Sequence, residues 1–444
     1  MKLGKGNSLL TIISFKLMKK LIIQGESKLD GQIDIYGAKN AALPIIISSI
    51  LTKEEVVFSN IPHVSDISIL ISILRDIGVK VKMLTSKVEG YSGRVISFEA
   101  DEVRDFVGSY DLVSKMRASI LILGPLVARF GYAKVSLPGG CAIGARPVDL
   151  HILALEQMGA KIIIEDGYVI AEGKLKGANI KFKKISVGAT QNIMMAATLA
   201  DGITILENAA MEPEITDLAN SLVKMGAKIE GIGTSKLVIT GKKELHSVRH
   251  HIMPDRIEAG SYAIMAAITN GSIRMKGVTL DLFNHKLLEK LNQAGVEIKD
   301  IDENIVEAKR LGDKINAIDI TTGPFPGIAT DMQAQFMALM TIANQTSKIK
   351  EAIFENRLMH VSELNRMGAK ISIEGNIANI EPVNQLSGAR VMATDLRASV
   401  SLVIAALVAK GETVIDRIYH LERGYERLED KLVSCGASIS HIIE

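Results

Sequence analysis

Six times along the chain the phrase Leu-x-x-φ-Gly-[Ala/Val]-x-[Ile/Val] returns, with φ apolar in four copies and Ala or Cys in the others. Its glycines are Gly78, Gly159, Gly226, Gly295, Gly368 and Gly436. Subtracting successive numbers gives spacings of 81, 67, 69, 73 and 68 residues. A period this regular marks duplicated units and limits the chain to folds built by repetition. Each copy reads as the last turn of a helix, closed by a C-terminal glycine and followed by a strand.

A second landmark precedes each glycine. An apolar helix opens at a polar tip: Lys39-Asn40, Arg117, Thr190, Glu258, Asp331 and Asp395. Asn40 reads as an N-cap with Pro44 in the first turn, and Thr330 with Gln333 has capping-box spacing. After each tip helix comes a turn and then an alternating strand such as Thr204–Leu206 or Thr413–Ile415. Each unit therefore reads helix, strand, loop, helix, strand. The tip helices are apolar nearly all round, as in Ala398–Ala409, so they belong inside a domain.

A chain of 444 residues exceeds one core, and six units divide most simply into two domains of three. The polar, basic stretch Lys242–His251, followed by Pro254, reads as a solvated linker and the best boundary. Three like-packed helices per domain would bring three N-termini to one face. Two such faces would enclose a cleft lined by positive helix ends and by Lys39, Arg117, Asp331, Asp395 and Arg397, an anion site. Repeats alone also allow a solenoid, in which the tips would form a row.

Composition narrows the function. The 52 basic and 50 acidic residues nearly cancel, and aromatic residues make up only 4% with no Trp, so nucleic acid is not an expected partner. No apolar run approaches membrane-spanning length. Two cysteines build no disulfide framework, which fits a reducing cytoplasm. Residues 1–17 read as a loose extension, with Met18 a candidate start. His246, His250 and His251 lack companions at metal-ligand spacing, and no metal or cofactor motif stands out.

One cysteine is singled out. Leu137-Pro-Gly-Gly-Cys-Ala-Ile-Gly-Ala-Arg-Pro-Val-Asp149 places Cys141 on a glycine-rich loop that ends in Arg146 and Pro147, at the start of a helix. A cation and a helix dipole both favour thiolate, so Cys141 is a candidate reactive thiol. Cys435 fills the apolar slot of the repeat phrase and reads as packing. Arg117, Arg146, Arg357, Arg397 and Arg423 sit at helix starts or in loops after repeat strands. As a set they suit a phosphate-carboxylate ligand needing several forked donors. Asp331 and Asp395 are either helix-dipole partners or general bases; Glu212 and Glu214 read as ordinary first-turn acids.

From about Lys19 to its C-terminus the chain resembles the UDP-N-acetylglucosamine 1-carboxyvinyltransferases, enolpyruvyl transferases of the EPSP synthase superfamily. The motifs are Gly37–Pro44, Met116–Ser119, Pro138–Asp149, Ser186–Thr190, Pro254–Arg256, Thr330–Gln335, Phe354–Arg357, Ala393–Ser399, Asp416–His420 and Arg423–Glu426. The resemblance implies an α/β fold of two inverse α/β barrels. Each would be a pseudo-threefold set of βαβαββ units, with the active site in the cleft between them. It implies a discontinuous C-terminal domain, residues 18–39 plus 254–444, around an N-terminal domain of residues 40–253. It also implies transfer of enolpyruvate from phosphoenolpyruvate to the 3′-hydroxyl of UDP-N-acetylglucosamine, releasing phosphate, at the start of peptidoglycan synthesis. Neither a cofactor nor an obligate protein partner is implied.

On the same ground Asp331 resembles the base, and Cys141 the general acid and covalent partner of the three-carbon unit. Lys39, Arg146 and Arg423 resemble the phosphate-holding set, Arg357 and Arg397 the carboxylate clamp. Asn40 and Arg117 line the same cleft. Pro147, Val148, Asp149, Leu150, the strand Lys184-Ile185-Ser186-Val187 and Ile353 resemble the UDP-sugar contacts. A Cys141→Asp enzyme should keep turnover yet escape epoxide alkylation, such as by fosfomycin. Two other readings stand beside this one. The sister enzyme that acts on shikimate 3-phosphate shares the fold but not the cysteine loop. A non-catalytic UDP-sugar sensor would have no use for Lys39, Cys141, Asp331 and Arg397.

Overall fold

The computed structural model describes residues 19–84, 93–108, 116–137 and 148–443. Cys141, Arg146, Pro147 and the N-terminal extension lie outside the described residues. Among the described residues, six four-stranded sheets account for the strands, and all six share one pairing pattern. The first strand runs parallel to the second, which is antiparallel to the third, which is antiparallel to the fourth. Asn179–Lys181, Ile203–Glu207, Lys236–Thr240 and Lys228–Glu230 show it in full. With the helices Val187–Ala197 and Pro213–Lys224 between strands, this stretch is a βαβαββ unit.

The repeat glycines explain how each unit turns. Gly78, Gly159, Gly226, Gly295, Gly368 and Gly436 have φ of 102°, 92°, 101°, 86°, 87° and 97°. Each follows the last residues of an outer helix, where the chain reverses into a strand. L side chains reach that conformation only with strain, so glycine recurs at all six places.

Two hydrophobic cores result. One runs from Ala38 to Ile252. The other combines Leu21–Ile35 with Ile257–Ala437. The described residues therefore begin in the second lobe, cross after Ile35, and return after Ile252. Their first strand, Lys19–Gln24, is the third strand of the sheet holding Arg390–Met392, Glu412–Asp416 and Ser438–Ile443. Asp30–Asp34 starts the sheet of Ser272–Lys276.

The return crossing corrects the linker reading of Lys242–His251. Arg249–His251 is a strand, parallel to Val56–Ile61, and it supplies the missing first strand of the first sheet. His250 is buried, with Nε2 2.8 Å from Asp217 Oδ1. A polar sequence served here as an edge strand because sheet pairing satisfied its backbone.

Each lobe is centred on apolar helices. Arg256–Ile268, Gln333–Met340 and Ser399–Val408 pack on one another in the second lobe. Lys39–Ile47, Leu123–Phe130 and Val187–Ala197 occupy the first. Two cap assignments differ from expectation. Lys39–Ile47 is capped by the backbone of Ala38, Asn40 is already its second residue, and Pro44 lies inside it. Thr330–Met332 forms a 3₁₀ turn, and Thr330 bonds Glu351 rather than a helix-terminal N–H. In both cases the polar side chain bonds a carboxylate distant in sequence, Asn40 to Asp331 at 3.4 Å and Thr330 to Glu351 at 2.7 Å.

Candidate active site

The starts of these helices carry the charged residues. Lys39 is the first residue of its helix, Arg117 opens the 3₁₀ turn leading into Leu123–Phe130, and Asp331 lies in the turn before Gln333–Met340. Arg397 stands two residues before Ser399–Val408. Arg357 follows the strand Ser347–Lys350, and Arg423 ends the 3₁₀ segment Ile418–Arg423 that follows Glu412–Asp416.

Asp331 is the hub. Its Oδ1 accepts from Arg357 Nη2 at 2.6 Å, and its Oδ2 lies 3.7 Å from Arg397 Nε. From the other lobe, Asn40 Nδ2 donates to the same Oδ2 at 3.4 Å. The arginines are held in turn. Arg357, 5% exposed, also donates to Thr330 Oγ1 at 2.9 Å, while Thr330 donates to Glu351 Oε2 at 2.7 Å. Ile353 N–H donates to the other oxygen of Glu351 at 2.8 Å, which ties this predicted contact to the arginine network. Arg397, 3% exposed, donates to Asp255 Oδ2 at 3.2 Å and to the Gly424 carbonyl at 3.3 Å, and its guanidinium sits 5.2 Å from the Tyr425 ring centre.

A second junction lies at Lys39. Its Nζ donates to Asp66 Oδ2 at 2.9 Å, and Arg423 Nε, from the opposite lobe, donates to Asp66 Oδ1 at 2.8 Å. Nearby, His63 N–H donates to Glu426 Oε2 at 2.7 Å, again across the lobes. A third bridge is Arg256, whose Nε donates to Glu214 Oε1 at 3.0 Å, both side chains being buried. Glu214 is thus an interlobe partner and not an ordinary first-turn acid.

These placements fix the charge states. Burial pushes the Asp331 carboxyl up, but Arg357, Arg397 and Lys39 outweigh it and hold it well below the usual carboxylate range. Burial lowers Lys39; Asp66 opposes this, while Arg397 and Arg423 add to it, and the net shift is down. Burial disfavours the charge on Arg397, yet Asp255, Tyr425 and Asp331 more than restore it. The resulting cluster of fixed cations around an ionised carboxylate can bind an anion bearing both phosphate and carboxylate.

Several of the remaining predicted residues lie on the helices that meet at His151 and Asn192. Val148 precedes the helix Asp149–Gln157; Val148 and Leu150 are buried and Asp149 is exposed. Burial, with Arg117 adding and Asp149 opposing, lowers the His151 pKa to about 4, and His151 Nδ1 lies 2.9 Å from Asn192 Nδ2. Lys184–Val187 is not the expected strand but a turn leading into a helix: Ser186 Oγ accepts from Ala189 N–H at 3.3 Å and caps the helix Val187–Ala197, with Lys184 exposed and Ile185 half-buried just before it. Asp395 is a local cap, accepting from the N–H groups of Arg397 and Ala398 at 2.9 Å each. Cys435 is buried. Sequence reasoning missed Asp66, Glu351 and the ion-pair role of Asp255. Asp255 lies within the quoted motif Pro254–Arg256, whereas Asp66 looks like any first-turn acid.

Comparison with known proteins bears on the family and the fold. The family described as EPSP synthase (3-phosphoshikimate 1-carboxyvinyltransferase) matches residues 23–432. A UDP-N-acetylglucosamine 1-carboxyvinyltransferase from Paramagnetospirillum magneticum is 52% identical over 428 residues, 96% of this chain and 99% of that protein. One of the same name from Chelativorans sp. is 53% identical over 430 residues, 96% and 100% of the two chains. Among solved structures, the enolpyruvyl transferase NikO from Streptomyces tendae superposes with a TM-score of 0.86 at 23% identity, covering 96% of this chain and all of that one. An EPSP synthase from Acinetobacter baumannii gives 0.72 at 17% identity, with the same coverage. These two establish a shared fold.

Proposed function

The chain belongs to the EPSP synthase family, and from that premise we propose that it transfers the enolpyruvyl group of phosphoenolpyruvate to the 3′-hydroxyl of UDP-N-acetylglucosamine, releasing phosphate. The observation that carries this reading is Asp331 held ionised between Arg357 and Arg397 of one lobe and Asn40 of the other, beside Lys39. Full-length identity of 51–53% to relatives named for this acceptor supports the choice of sugar nucleotide over shikimate 3-phosphate.

The reaction is an addition followed by an elimination. The Cys141 thiol gives a proton to C3 of phosphoenolpyruvate, which makes C2 electrophilic. The sugar 3′-oxygen bonds to C2 as Asp331 takes its proton. The tetrahedral adduct then loses phosphate by cleavage of the C2–O bond, and a C3 proton returns to the enzyme as the double bond re-forms. Lys39, Arg423 and Arg146 hold the phosphate. Arg357 and Arg397 hold the carboxylate, and as they turn to it they release Asp331, whose basicity then rises. Pro147–Leu150, Lys184–Val187 and Ile353 hold the UDP-sugar, and Asn40 and Arg117 line the same cleft. Preformed cations contribute most of the acceleration, and each acid–base step roughly 10²- to 10⁴-fold.

With this reading go the division expected as residues 18–39 plus 254–444 and residues 40–253, with Ala38 and Lys39 moved to the first lobe, whose core and central helix they join, a role in the first committed step of peptidoglycan synthesis, and a cytoplasmic location. No helix among the described residues is long and apolar enough to cross a membrane. The test is inorganic phosphate released from phosphoenolpyruvate only when UDP-N-acetylglucosamine is added. Release with shikimate 3-phosphate instead would select the sister reaction. Tight sugar-nucleotide binding with no release from either acceptor would select a sensor.

A further inference from the structure

Asp66 belongs to no motif quoted above, yet it stands between two of the site's cations. It is the second residue of the helix Ser65–Asp76 and is 2% exposed. Lys39, on the first lobe's central helix, meets Asp66 Oδ2 at 2.9 Å. Arg423, from the second lobe, meets both oxygens, Nε to Oδ1 at 2.8 Å and Nη2 to Oδ2 at 3.5 Å. The bond from His63 N–H to Glu426 ties the same two segments together. One buried carboxylate therefore spans the lobes and holds a cation from each.

We propose that Asp66 is a positioning residue, whose carboxylate sets Lys39 and Arg423 in register across the cleft so that they receive a single phosphate group. The inference rests on the reading of these cations as the phosphate-holding set. Without an anion between them, the ammonium and the guanidinium repel in a low-dielectric setting and have no reason to converge. Lys39 has three donors and gives one to Asp66, and a guanidinium has five in a fixed fork, of which Arg423 gives two to Asp66. The charge on Lys39 also depends on this partner. Arg397 and Arg423 face Lys39 and disfavour its protonated form, while Asp66 and Asp331 favour it. Asp66 is itself ionised, because Lys39 and Arg423 outweigh its burial.

The experiment is steady-state phosphate release by the full-length enzyme and its Asp66→Asn and Asp66→Glu variants, with each substrate varied in turn and pH scanned from 6 to about 10. Asp66→Asn should raise KM for phosphoenolpyruvate by about 10-fold or more and leave KM for UDP-N-acetylglucosamine within about twofold. It should also move the alkaline limb of kcat/KM to lower pH by about one unit, because Lys39 loses the anion that keeps it protonated. Asp66→Glu keeps the charge but displaces it by one methylene. It should raise KM for phosphoenolpyruvate several-fold and leave the limb in place, and it decides the matter should the Asn variant not fold. A wild-type KM for phosphoenolpyruvate in a folded variant, or an equal rise in both KM values, overturns the proposal. Absence of phosphate release from the wild-type enzyme overturns the proposed function, and this inference with it.

Discussion

Replacing Asp331 by Asn tests the centre of the site. The amide keeps the shape but cannot take a proton from the attacking hydroxyl. Loss of a general base costs about 10²- to 10⁴-fold in kcat, or roughly 3–5 kcal/mol in the barrier. The surroundings add to this: a carboxylate accepts from Arg357 and Asn40 and pairs with Arg397 at 3.7 Å, but an Asn turns an NH₂ group toward one of those groups. The fold should tolerate the change. Arg357 keeps Thr330 at 2.9 Å, Arg397 keeps Asp255 at 3.2 Å, and the Asp331 side chain is 24% exposed, so its surroundings can rehydrate. We expect a stability loss of about 1–2 kcal/mol, which lowers Tm by about 2–4 °C per kcal/mol in domains of this size. Phosphate-release rates with both substrates varied, together with a thermal melt, separate the two effects. A kcat within about threefold of wild type, or a loss confined to KM, would refute the assignment of Asp331 as base. The wild-type pH profile supplies a second check. Asp331 is depressed in the free enzyme, and substrate that engages Arg357 and Arg397 relieves the depression. The acid limb of kcat should therefore lie at higher pH than that of kcat/KM.

Other parts of the fold yield further expectations. Gly159→Ala places a Cβ at a φ of 92° with its nearest neighbour 3.9 Å away, so only backbone strain acts; urea unfolding should show a loss of about 1–2 kcal/mol at unchanged m. Glu214→Ala leaves the buried Arg256 without its bidentate partner and should cost about 3 kcal/mol or more, detected as a lower denaturant midpoint. His151 and His360 are buried with pKa lowered to about 4, so the unfolded chain binds more protons than the folded one between about pH 4 and 6.5. Stability should thus fall as pH drops through that window, on the order of 2 kcal/mol per histidine by pH 5, and His360→Gln should flatten the fall if it is due to this ring.

The repeat was legible because each copy needs a residue free of Cβ at the helix end. That demand is local, and all six glycines bear it out with positive φ. Buried helices were legible for a similar reason: Ser399–Val408 has no polar face to expose. Caps were less legible. Asn40 and Thr330 look like capping residues in isolation, but Asp331, Glu351 and Arg357 compete for them across the fold. Lys242–His251 misled for the same reason, since nothing in a polar stretch reveals that Val56–Ile61 lies alongside to pair with it.

The line of letters was thus enough to establish the repeat, its count, its inner and outer helices, and which side chains carry charge at helix starts, while the residue pattern read only two of the four strands in each unit. Each of those follows from the geometry of a few neighbouring residues. It could not say that Asp66 joins Lys39 to Arg423, or that Glu214 joins Arg256, because those partners are separated by between 27 and 357 positions. Only packing brings such groups within reach, and only the burial that packing brings makes an ionised Asp331 depend on its arginines.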